Sequence, residues 1–279
     1  MKNIIKEVFT FTLIILYFFY IIEYNSYIQE QTIYSVNIWL TKIIPSLFPT
    51  FIIVDLIYNS KIPYLIEKYL HINFIYIISI ISGSPSNAYI LNKYNQDITK
   101  LLSVTKYTSP IFTYTYLKDI YNPKIALLLM GLNILSNIIL ISLIRPKNIK
   151  YIPNKKETLL NTIITSIKNN INTLLTILGT IIFFNTLPLT LIKNTYIKSI
   201  SLSILEITTS LENLKNTILP LNIKILLTII SLSTCGLCIE TQIKSIINDT
   251  YLNYQEYLLY RLLHLIIYLS LTIIVILIL

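Results

Sequence analysis

The chain has 279 residues, 54% of them hydrophobic and only 13% charged, against roughly 25% charged in soluble domains. That balance excludes a soluble enzyme, and a mean hydropathy of +0.67 with uncharged runs long enough to cross a bilayer points to an all-α polytopic membrane protein. The 22 Lys and Arg against 13 Asp and Glu leave a net charge of +9, which in such a protein belongs to cationic cytoplasmic loops and not to a nucleic-acid surface.

In chain order, Lys2 and Lys6 precede an apolar run over 8–22 that ends in Glu23 without a small-residue cleavage site, so residues 1–26 read as an uncleaved transmembrane helix. Ile44-Pro45-Ser46-Leu47-Phe48-Pro49 sets two prolines in an apolar stretch, and the segment 33–58 is expected to bend or double back. Asp55 follows in the same run. Residues 69–92 carry no acidic or basic charge yet contain Ser82-Gly83-Ser84-Pro85-Ser86-Asn87, so that span must be broken. Ser84-Pro85 and Ser109-Pro110 each join a good N-cap to a residue tolerated at the first helical position, and each marks a helix start, either within the bilayer or at its surface. Within the bilayer, the free N–H groups and the positive dipole end would attract an anion.

Residues 125–144 form an uninterrupted span. Arg145, Lys147, Lys150, Lys155 and Lys156, with Pro146 and Pro153, make 145–157 a basic cytoplasmic linker. A second uninterrupted span covers 169–192, and a third covers 262–279, after Arg261. Glu206 is an acid among apolar and hydroxyl neighbours: an intramembrane site residue on one reading, an interfacial residue on the other. Cys235 and Cys238 have CxxC spacing without a second ligand pair, and His71 and His264 stand alone, so no metal site is expected. Ser233, Thr234, Cys235 and Gly236 read instead as a tight turn or close helix contact, with Glu240, Thr241 and Gln242 beyond it. No phosphate loop, nucleophile elbow or catalytic carboxylate pair is present, so neither an enzyme nor a cofactor is expected.

The linker divides one integral membrane domain into halves, 27–144 and 158–279. Each half has an interrupted region, a short polar break and a clean last span. Such pairing is the sequence sign of an inverted-repeat transporter with broken helices.

These breaks, in order, resemble those of the YlbJ-like sporulation integral membrane proteins, a branch of the nucleoside-recognition (Gate) domain family. The resemblance runs from about residue 33 to the C-terminus. It is carried by 44–49, by Ser82 to Ala88, by Thr105 through Ser109-Pro110-Ile111-Phe112, by Asn172-Thr173-Leu174-Leu175, by Leu205-Glu206-Ile207-Thr208, by Cys235-Gly236-Leu237 through Gln242-Ile243, and by Arg261-Leu262-Leu263-His264. It implies a fold similar to concentrative nucleoside transporters, with re-entrant hairpins meeting broken helices at mid-membrane. It also implies transport of dipicolinate, a small planar dicarboxylate, across the outer forespore membrane of a bacterial cell. A nucleoside or other small molecule as cargo, or a non-transporting structural role in the spore envelope, are the alternatives. Ser84, Ser86, Asn87, Thr108 and Ser109 would form one half of the substrate site, and Glu206, Thr208, Gly236 and Gln242 the other. Partners would be the solute and the lipid bilayer, with no nucleic acid; a homo-oligomer or other sporulation membrane proteins are compatible with the same reading. The chain departs from the family in being short and glycine-poor. Asn87 and Tyr89 stand where a small residue and a lysine are expected, and Lys106 where asparagine is. Lys106 or Lys93 would then have to supply the cation near the first break.

Overall fold

A computed structural model describes residues 2–92, 96–147, 159–247 and 249–278. The described residues are helical throughout, without a strand: α1 Lys2–Glu23, α2 Asn25–Ile38, α3 Ile44–Tyr58, α4 Ile62–Leu70, α5 Phe74–Ser82, α6 Ser86–Asn92, α7 Thr99–Thr105, α8 Pro110–Ile120 and α9 Pro123–Ile144 precede the linker. After it come α10 Leu159–Asn185, α11 Thr195–Leu205, α12 Ile207–Asn216, α13 Leu221–Thr234, α14 Gly236–Ile246 and α15 Tyr254–Ile278. Among the described residues, six helical stretches are long and apolar enough to cross a membrane: Ile4–Glu23, Asn25–Tyr58, Pro123–Ile144, Leu159–Asn185, Leu221–Ile246 and Tyr254–Leu277. The chain is therefore an integral membrane protein. Most of the basic linker, including Lys150, Lys155 and Lys156, lies outside the described residues, as does Lys93.

The proline-rich stretch does not double back. α2 and α3 run on as one helical path through a π-helical turn at Trp39–Ile43, with Pro45 in the first turn of α3 and Pro49 inside it. The widened turn comes just before the prolines; Pro45 falls in the first turn of α3, where a missing N–H is tolerated, and Pro49 leaves one donor absent within it. All three uninterrupted spans start earlier than their uncharged runs; α9 begins at Pro123 and takes in Lys124. α10 takes in Lys168 and ends at Asn185, ahead of a 3-10 turn at Pro188–Leu191, and α15 takes in Arg261. A charge inside a helix is tolerated where its polar end finds partners, and Arg261 does (below).

α2–α3 and α10 pack antiparallel as the central pair. At one end Asn185 donates to the Ser35 hydroxyl (2.9 Å), and at the other the Asp55 carboxylate accepts from Ser166 (2.8 Å) and Asn170 (3.0 Å). The Trp39 indole N–H donates to the Leu174 carbonyl between them (2.9 Å). Around this pair each half contributes two helices that pack on each other across a short break, α5 with α6 and α11 with α12, then a helix interrupted in mid-course, α7/α8 and α13/α14. The halves close with α9 and α15, which pack together; the Tyr268 hydroxyl on α15 donates to the Leu129 carbonyl on α9 (2.8 Å). α1 stands apart, with its apolar side chains exposed, and touches the rest through α2 and through Tyr17, whose hydroxyl lies 3.2 Å from the Thr186 hydroxyl and whose ring packs edge-on against Phe183.

Candidate functional site

All four breaks are buried, and each has a different local cause. The α5/α6 break is Gly83-Ser84-Pro85, with Gly83 at φ +68° and a cis Ser84–Pro85 peptide. The Ser84 N–H donates to the Tyr107 carbonyl (2.7 Å), which ties this tip to the α7/α8 break. A Cβ on Gly83 would lie 2.5 Å from the Ser109 nitrogen, so only glycine permits the approach. In the other half the close approach is made by Gly236 on the interrupted helix, at φ +75°, where a Cβ would lie 2.9 Å from the Leu205 carbonyl oxygen. Cys235, at φ +59°, ends α13 in the left-handed conformation before it.

The sequence-predicted residues divide into two groups around these contacts. Ser84, Thr108, Ser109, Glu206, Thr208 and Gln242 line one internal cavity, together with Pro85 and Cys238 and an apolar wall that includes Ile43, Leu47, Ile177 and Ile181. Ser86, Asn87 and Gly236 are not in that lining. Asn87 is fully buried and holds the first tip together: its Oδ1 accepts from Ser84 Oγ (3.0 Å) and from the Ala88 N–H (2.9 Å), and its Nδ2 donates to the Thr105 carbonyl (2.7 Å). Asn87 is thus a structural tie between α6 and α7, and Gly236 a close-packing position.

Ser109 stands at the N-cap of α8, as its Ser-Pro pair predicts, but its hydroxyl caps nothing. Its Oγ is buried without a hydrogen-bond partner, and so is Gln242 Oε1; the two residues are 3% and 2% exposed. The orientation of Gln242 follows from Thr180, whose hydroxyl proton goes to the Thr176 and Ile177 carbonyls. Thr180 Oγ1 is therefore the acceptor for Gln242 Nε2 (2.6 Å), which leaves Oε1 unsatisfied. A buried polar atom without a partner costs about 1–3 kcal/mol, which a bound solute or water would recover.

Glu206, 2% exposed, is the one charged side chain among the described lining residues. It caps α12, accepting from the N–H groups of Thr208 (2.9 Å) and Thr209 (2.6 Å) and lying 2.7 Å from the Thr209 hydroxyl. It is thus an interior carboxylate, and three neutral donors satisfy it. The cation expected beside the first break is not in the lining. Lys106 instead crosses to the second half, where its ammonium pairs with Glu240 and donates to the Thr234 carbonyl (2.6 Å).

The cavity is small, about 40 Å³, which is room for about three water molecules. A polar vestibule flanks it on each side, each about 290 Å³. One, lined by Asn169, Asn172, Thr173 and Thr176 of α10, shares Pro85, Ile177 and Gln242 with the cavity wall. The other, lined by Tyr27, Glu30, Gln31, Tyr34 and Lys198, reaches Thr209, one hydrogen bond from Glu206. Because α2–α3 and α10 are antiparallel, these vestibules lie toward opposite ends of the central pair, with the cavity between them.

Residue patterns marked neither Thr209, Asn185 and Cys238 around the cavity nor the Lys106–Glu240 pair beside it. Their signal is faint, hydroxyl and amide groups within apolar helices, and only the fold brings them together. In comparisons with known proteins, no family model matches the chain, and no curated sequence or solved structure is significantly similar to it. The fold and site define an all-helical integral membrane protein with a small, mainly apolar cavity edged by a few polar groups.

Proposed function

We propose that this protein is a membrane transporter that moves a small solute by alternating access. The observation that carries the proposal is a cavity with two unpartnered polar atoms in its lining, flanked by vestibules on opposite sides of it along the central pair. The repeated order of paired helices, interrupted helix and long closing helix supports an inverted-repeat reading, in which the two halves rock about the site. At about 40 Å³ the cavity is too small for a nucleoside or dipicolinate, so loading requires the tips to part.

The chemistry of the lining favours a neutral solute that donates hydrogen bonds over the dicarboxylate that the family resemblance implies. Gln242 Oε1 is an acceptor in need of a donor, and Ser109 Oγ serves either role. Glu206 already occupies the N-terminus of α12, the dipole end that an anion would need. Two unit negative charges about 5 Å apart repel by about 3 kcal/mol at an effective dielectric near 20, and no cation in the described lining offsets that. We therefore favour a nucleoside or comparable neutral molecule as cargo, with the forespore envelope as the setting that the resemblance implies.

Counterflow into liposomes preloaded with unlabelled solute tests this. Saturable uptake of labelled uridine, competed by uridine and not by dipicolinate, is the expected result. Saturable dipicolinate uptake would overturn the neutral-cargo reading, and no saturable flux of either from folded protein would favour a non-transporting structural role.

A further inference from the structure

Away from the cavity, the interrupted helices bring together two other ends. α7 stops at Thr105 and α13 at Thr234, and their last carbonyls face two buried cations. The Arg261 guanidinium donates to the Ser103 carbonyl (2.8 Å) and to the Ser233 carbonyl (2.6 Å), so one fork caps both helices. The Lys106 ammonium, with a fully buried side chain, donates to the Thr234 carbonyl and pairs with Glu240, which also accepts from the Tyr257 hydroxyl (3.1 Å). A helix C-terminus carries about half a negative charge, so two ends and one carboxylate present about two negative charges to two cations. The cluster is balanced by its own side chains.

Half-helix C-termini and unwound carbonyls are where broken-helix transporters coordinate the sodium ion or proton that drives them. We infer, on the transport reading above, that Lys106 is a tethered counter-cation: its ammonium fills the space between the α13 C-terminus and the Glu240 carboxylate where a coupling metal ion would sit, and the protein moves its solute without one. Lys106 belongs to the first half and both its partners to the second, so the same contact fastens the halves together.

Thermal melting of the purified full chain in detergent tests this without reference to flux. At equal ionic strength, wild-type melting should agree within about 1 °C in sodium, potassium and choline chloride, because no vacant site distinguishes them. Lys106→Ala leaves Glu240 buried and unpaired, and should melt lower in choline by on the order of 10 °C. Sodium or potassium should restore at least about half of that loss, saturably, through the vacated site. Adding Glu240→Gln to Lys106→Ala should abolish the response to metal cations. A saturable sodium or potassium effect on the wild type would overturn the inference, as would a Lys106→Ala variant indifferent to the cation present. Should Lys106→Ala not yield folded protein, Lys106→Gln, which keeps a donor for the Thr234 carbonyl, carries the same comparison. The wild-type measurement overturns the inference by itself if a metal cation stabilises the protein. Counterflow reads the transport proposal separately, so failure of one is distinguishable from failure of the other.

Discussion

Two glycines and one serine separate structure from binding at this site. Gly83 and Gly236 lie at positive φ against the backbone of the neighbouring break, at Ser109 and Leu205 respectively. Gly83→Ala and Gly236→Ala should each cost at least about 2 kcal/mol, from the left-handed backbone and the displaced chain, and should lower the melting temperature accordingly. Ser109→Ala should behave in the opposite way. Its hydroxyl bonds to nothing in the protein, so its removal should leave melting unchanged or slightly raised. Solute affinity, measured by equilibrium binding, should fall by up to about tenfold, the equivalent of one hydrogen bond. Unchanged affinity would remove Ser109 from the solute site. Asn87, by contrast, should act through stability, because its amide bonds are spent on Ser84, Ala88 and Thr105.

At the scale of elements, interruption is the organising device. A continuous helix satisfies its own backbone, whereas each break here exposes ends that must be capped inside the protein. The N-terminal end of α12 is capped by Glu206, and the C-terminal ends of α7 and α13 by Arg261 and Lys106. Arg261 reaches two helices at once because its planar fork presents donors in two directions. Arg261→Lys keeps the charge and loses the fork. It should therefore still destabilise, by about 1–3 kcal/mol for the carbonyl left without a donor, as read by thermal melting. A lysine variant as stable as the wild type would show that charge alone suffices at this position.

At the scale of the molecule, two sets of contacts lie between the cavity and its vestibules. One is the layer of Pro85, Ile177 and Gln242, closed by the bond from Gln242 to Thr180. The other is a chain of polar groups in which the Thr209 hydroxyl lies 2.7 Å from both Glu206 and Asn185, and Asn185 donates to Ser35. Thr209→Val keeps the shape and removes the shared proton. In a Cys235→Ser background, Cys238 in the cavity wall becomes the lone thiol. Thr209→Val should then speed its modification by a membrane-impermeant reagent by about tenfold, as this chain of groups loses one hydrogen bond. A rate equal to that of wild-type Thr209 would show that this chain of groups is not a barrier.

The sequence by itself determined the solvent, the helical class and three of the four breaks, at Ser84-Pro85, Ser109-Pro110 and Cys235-Gly236, but not the break at Glu206. Hydropathy along the chain measures transfer into lipid, and Ser-Pro and glycine pairs act on the backbone within a few residues, so both signals are local. The fate of the Pro45 to Pro49 stretch was not legible in this way, because a π-helical turn a few residues earlier keeps the path continuous. Nor was the role of Arg261, which stands at the edge of an uncharged run in the sequence but is buried beneath two helix ends in the fold. Tertiary structure alone decided which candidate residues share a cavity. Ser84, Ser109, Glu206 and Gln242 meet there, while Asn87 and Lys106 are drawn into ties between elements. The physical reason is that a buried polar group is defined by the partner it finds, and here most of those partners come from a different helix.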